Sequence, residues 1–110
     1  MTTHDVRSIE RRRSARVAAS IPLTVSGQTR SGKEFTVKTH THTVSLFGCL
    51  ILLDVEVFAD RKVVLFNEDT QQSIEGRFVS TWRHPDGRIY AGVAFLSSSQ
   101  DFWRIAIPTA

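Results

Sequence analysis

Arg11, Arg12, Arg13 and Arg16 fall within six residues, in the stretch "ERRRSARV" at positions 10–17. A guanidinium is a planar fork that bonds phosphate through two N–H groups, reads the O6/N7 edge of guanine and stacks on a purine face. Lysine offers only a point charge. A second stretch with chemical potential is "TVSLFG" at 43–48. There Ser45 can present a hydroxyl and a backbone N–H to a phosphate or base edge. Gly48, without a Cβ, is expected to admit a left-handed turn and close approach of a ligand to the backbone. Taken singly, the arginines read as a solvated tail, a nucleic-acid arm or half of a site for an anionic ligand, and "SLFG" reads as a plain turn.

Other chemistries find less support. The chain has no nucleophile elbow, no HExxH and no glycine-rich phosphate loop, so an enzyme is not expected. His40 and His42 are two apart and on a strand would share a face. With no third ligand in reach they read as polar surface residues, and neither a metal nor a cofactor is expected. Cys49, the one cysteine, reads as a small core residue and fits a reducing cytoplasm.

The location of the charge narrows the alternatives. Residues 1–16 hold Arg7, Arg11, Arg12, Arg13 and Arg16 against Asp5 and Glu10, which accounts for the whole net charge of +3. The other 94 residues carry nine basic and nine acidic side chains. A general nucleic-acid binder is expected to spread a basic stripe over its folded surface, so a nucleic-acid polymer is a poor fit as partner. No apolar run approaches the roughly 20 residues of a membrane span, so no membrane insertion is expected. "MTTHDVRSIERRR" has no apolar stretch of the kind that directs secretion, which favours a cytoplasmic location.

These groups must be positioned by strands. A length of 110 residues predicts one domain. It divides into a flexible, arginine-rich arm over 1–16, low in apolar content, and a folded body over 17–110. The body alternates β-branched and aromatic runs with turn residues. Strands are predicted over "IPLTVSG", "EFTVKTHTHTVS", "CLILLDVEV", "RKVVLFN", "SIEGRFVSTWRH" and "RIYAGVAFLS". Pro22 marks a strand start or edge; Ser31-Gly32 and Asp86-Gly87 mark tight turns. "SSSQDFWRIAIP" offers N-caps for one short helical turn, with Phe102 and Trp103 as a plug at one end. Six short strands without a βαβ rhythm predict an all-β, six-stranded antiparallel β-barrel, because closure removes exposed edges.

Arg12 and Arg16 form an Arg-x-x-x-Arg pair, and "TVSLFG" begins 27 residues after Arg16. Together they resemble the PilZ domain family, whose second motif is [Asp/Asn]-x-Ser-x-x-Gly. The resemblance spans nearly the whole chain, with "YAGVAF" and the closing "FW" also where that family carries them. It implies a six-stranded antiparallel barrel and, as in many bacterial members, a receptor for the second messenger cyclic di-GMP. It also implies a ligand-binding set of Arg11, Arg12, Arg16, Thr43, Ser45 and Gly48. Four arginines without a lysine suit a ligand of two phosphates and two guanines. Arg11, directly before the pair, resembles members that hold two stacked ligand molecules. Thr43 departs from the family's Asp or Asn, whose longer stem accepts from the guanine N1–H and N2–H₂ donors. Losing one such contact costs about 1–3 kcal/mol.

The mechanism implied is ordering of the arm as ligand binds, passed to an unidentified downstream protein. The alternatives are a PilZ-like barrel that has lost nucleotide binding and acts as a protein-interaction adaptor, and a small-barrel nucleic-acid binder.

Overall fold

The computed structural model describes residues 15–108. Arg11, Arg12, Arg13 and the rest of the predicted arm up to residue 14 lie outside the described residues. The elements are β1 (Val17–Ala18), β2 (Pro22–Gln28), β3 (Glu34–Ser45), β4 (Gly48–Leu52), β5 (Lys62–Asn67), β6 (Gln72–Arg83), β7 (Ile89–Phe95) and the one-turn helix α1 (Gln100–Trp103). Every pairing is antiparallel. The ladder runs β3-β2-β5-β6-β7-β4, and β4 pairs back onto β3. This is the closed six-stranded barrel that the strand pattern predicts, with β1 as an additional strand outside it.

Alternation along the strands fills the barrel. In β2, Leu23 and Val25 are fully buried while Thr24 and Ser26 face outward; in β7, Ala91, Val93 and Phe95 point inward. Leu65, Phe78 and Ile51 join them in one core. The tight turns hold as read: Gly32 and Gly87 adopt φ of 88° and 92°, a region that only glycine enters freely. Pro22 begins β2, where a missing N–H is tolerated.

Two elements differ from expectation. The apolar run "CLILLDVEV" is not one strand: β4 ends at Leu52, and the chain turns away after Leu53, whose N–H still bonds Ile89 C=O at 2.7 Å. Leu53 and Val57 are nonetheless buried, so the later hydrophobic residues serve the core from a loop. Burial, which composition reports, does not require a ladder, which composition does not report.

The second difference is β1. It continues the line of β2 along one edge of β3, with Val17 opposite Val44 and Pro22 opposite His40, and the register slips by one residue between them. Thr41, 1% exposed, fills the slip. Its hydroxyl donates to the Ala19 carbonyl and accepts the Ile21 N–H at 2.9 Å, so the buried bulge leaves no stranded polar group there. On the other edge of β3 the pairing with β4 also slips, between Thr41 and Thr43. Strict alternation therefore breaks: Thr41 and Val44 point inward, while His42 is exposed and Thr43 half-buried.

Candidate functional site

The double slip at Thr41 sets the geometry of the region that the sequence singles out. Three strands, β1, β3 and β4, lie side by side, and their residues form rows across the sheet. Ala18, Thr43 and Leu50 share one row; Val17, Val44 and Cys49 share the next. Ser45 pairs with Gly48, and continuing the β1 register by one residue sets Arg16 across from Ser45. Opposed Cα atoms in such ladders are on the order of 5 Å apart. Residues separated by 27 positions in the chain are thus brought to one rim of the barrel.

Arg16 is exposed and makes no ion pair or hydrogen bond with another described residue. The Thr43 hydroxyl likewise has no hydrogen-bond partner among the described residues. The Ser45 hydroxyl donates to the Gly48 carbonyl at 3.3 Å, a long contact that a stronger acceptor could displace. Arg16, Thr43 and Ser45 are therefore side by side with spare donors. Arg11 and Arg12 lie outside the described residues.

Gly48 requires a correction. It does not take the left-handed conformation expected of it; among the described glycines only Gly32 and Gly87 have positive φ. A Cβ on Gly48 would sit 2.3 Å from the Val93 carbonyl oxygen. The glycine is needed because the paired strand β7 lies close against the start of β4, with Ala94 opposite Gly48. Leu46 and Phe47 alone make the two-residue hairpin turn.

That turn is held from beneath by the C-terminal segment. The Ser45 carbonyl accepts the Trp103 indole N–H at 2.9 Å and the Ser99 hydroxyl at 3.2 Å. The Leu46 carbonyl accepts the Ser99 hydroxyl at 2.6 Å and its N–H at 2.8 Å, and the Phe47 carbonyl accepts the Phe95 N–H at 2.9 Å. Ser99 precedes α1 as expected of an N-cap, yet its side chain makes no capping bond. Two carbonyls of the hairpin turn take that hydroxyl instead.

Trp103 and Phe102, 2% and 4% exposed, are the predicted plug. Their rings meet edge to face at 4.7 Å, with Phe95 6.0 Å from each. Asn67, fully buried at the end of β5, fastens the plug: its amide donates to the Phe102 carbonyl at 2.7 Å while its oxygen accepts the Asp69 N–H at 2.9 Å. Sequence reading missed Thr41, Asn67 and Ser99 as site supports. A polar residue at the end of an apolar strand was the available signal for Asn67.

His40 and His42 are both exposed, and His42 sets its ring edge-on to Tyr90 at 5.6 Å. Among the described residues no group of three ligands could hold a metal ion. Cys49, half-buried and packed against the core in the row of Val44 and Val93, has its thiol pKa pushed up by burial, which favours the protonated form. At the opposite end of the barrel an open cleft of about 640 Å³ carries Arg30, Lys33 and Arg83 against Asp54 and Glu56. Arg30 and Glu56 pair at 3.6 Å, so this cleft presents both signs of charge.

No protein-family model matches the chain, and no curated protein matches it in sequence.

Proposed function

We propose that this chain is a PilZ-like receptor module of a bacterial cytoplasm, binding cyclic di-GMP between its arginine-rich N-terminal arm and the Thr43–Gly48 segment. The observation that carries the reading is the β1–β3 register, Val17 opposite Val44, whose continuation by one residue sets Arg16 across from Ser45, beside a Thr43 hydroxyl with no described partner. Arg16 offers a bidentate donor to a phosphate, and Ser45 offers a hydroxyl to the same anion or to a base edge. Thr43, two rows along and so on the same face of the sheet, stands at the position suited to the guanine donor edge. Arg11 and Arg12 complete the set through the resemblance alone. Ordering each backbone residue of the arm costs about 1–2 kcal/mol, which the phosphate and guanine contacts must offset. The ordered arm is the signal to a downstream protein, and the module itself performs no chemistry.

Thr43 in place of Asp or Asn favours one second reading, a barrel of the same kind that has lost nucleotide binding and serves as an adaptor. Titration calorimetry with cyclic di-GMP separates the two. Binding is expected, and Arg16→Ala is expected to weaken it at least about tenfold, the loss of one charge-assisted contact. Because Arg16 is exposed and makes no bond to another described residue, its removal should leave the melting temperature nearly unchanged. Absence of heat at high micromolar ligand would reject the receptor reading in favour of the adaptor. A large fall in melting temperature in Arg16→Ala would make the arginine structural.

A further inference from the structure

Both halves of the candidate site touch one short segment, Ser99–Pro108. At its start, Ser99 and Trp103 hold the Ser45 and Leu46 carbonyls. The segment then leaves α1 through Arg104, whose φ of 55° turns the chain while its N–H still bonds the Gln100 carbonyl at 3.0 Å. Ile107 packs against the core from the outside, as do Val17 and Ala19 of the N-terminal stretch. At the end of the segment, the Pro108 carbonyl accepts the N–H of Ala15 at 3.0 Å.

Ala15 immediately precedes Arg16, and β1 immediately follows it. As a strand, β1 is two residues long and pairs only with β3. So short a ladder is weak on its own. Arg16 is therefore bracketed by two modest restraints, the Val17–Val44 pairing on one side and the Ala15–Pro108 bond on the other. The second of these is supplied by the C-terminal tail.

We infer that residues 105–108 act as a positioning strap: they tie the base of the arm to the Ser45 turn and hold Arg16 across from Ser45. The Trp103 end of the segment fixes the turn, and the Pro108 end fixes the arginine. A restraint at the arm's base lowers the conformational cost of bringing the guanidinium to a ligand. The tail thereby affects affinity without touching the ligand.

Two variants test this. Truncation after Arg104 removes the strap and keeps α1, Ser99 and Trp103. Ala15→Pro removes the donor N–H, and fixes φ at that residue, while leaving the tail intact. Amide exchange is the first readout and needs no ligand. Both variants are expected to exchange Val17 and Ala19 at least about tenfold faster than the full chain, with Phe95 unchanged. Unchanged exchange at Val17 and Ala19 in both variants would overturn the strap.

Calorimetry with cyclic di-GMP is the second readout, and this part rests on the receptor reading. The truncated protein is expected to bind about tenfold more weakly, and Arg16→Ala should then cost clearly less than in the full chain, because the two changes act through one contact. Faster exchange combined with additive losses would refute positioning of Arg16. If the full chain binds no cyclic di-GMP, the receptor reading fails, and the exchange result alone decides the strap.

Discussion

Replacing Trp103 by alanine removes the side chain that closes one end of the barrel and carries the hairpin turn. Trp103 is 2% exposed, stacked edge to face on Phe102 at 4.7 Å, and its indole N–H donates to the Ser45 carbonyl at 2.9 Å. Taking a large aromatic out of a packed core costs about 3–5 kcal/mol, and a neutral hydrogen bond contributes about 1 kcal/mol net. The Ser99 hydroxyl lies 3.2 Å from the Ser45 carbonyl, but its one proton is shared with the closer Leu46 carbonyl at 2.6 Å, so it replaces the lost N–H only in part. Trp103→Ala is therefore expected to cost about 4 kcal/mol, a large share of the 5–15 kcal/mol typical of a domain. Trp103→Phe keeps most of the apolar surface and loses the N–H; about 1–2 kcal/mol is expected. Urea denaturation followed by far-ultraviolet circular dichroism, with a common slope for the three proteins, measures both. Trp82 remains as a fluorescence probe in either variant. A cost below about 1 kcal/mol for Trp103→Ala would refute the plug. Equal costs for alanine and phenylalanine would put the tryptophan's role in its N–H and not in its packing.

Gly48→Ala should destabilise by about 1–3 kcal/mol, since the new methyl meets the Val93 carbonyl oxygen at 2.3 Å and neither backbone can yield cheaply; equal stability to the parent in urea would overturn the close approach. Thr43→Asn is expected to tighten cyclic di-GMP binding several-fold by calorimetry at fixed salt, because the amide oxygen reaches further toward the guanine donors; weaker binding with an intact fold would remove Thr43 from the site. The Cys49 thiol, held neutral by burial, should react with a disulfide reagent at pH 8 on the order of 100-fold more slowly in the folded protein than in urea, and reaction at the unfolded rate would place the sulfur at the surface.

Which parts of the protein could be read from its residues follows from the range over which each signal acts. Alternation at Leu23, Val25, Ala91, Val93 and Phe95 is local, and it specifies which side of each strand is apolar whatever the partner strand. Gly32 and Gly87 announce their turns for the same reason, since positive φ is a property of a single residue. The all-β class, the barrel and the aromatic plug are sums of such local signals.

The roles of Gly48, Ser99 and Thr41 are not local. Gly48 is glycine because Val93, 45 positions later, brings its carbonyl against the start of β4. Ser99 looks like a helix cap, but its hydroxyl goes to the Ser45 and Leu46 carbonyls. Thr41 reads as one more β-branched strand residue; only the side-by-side slips of β1–β2 and of β4 against β3 make it the buried clamp between Ala19 and Ile21. The juxtaposition of Arg16 with Ser45 belongs to the same class. Sequence marks both as groups able to bind an anion, but their closeness is a matter of register between β1 and β3, and register depends on pairing energies summed along the whole ladder. No single residue carries that sum.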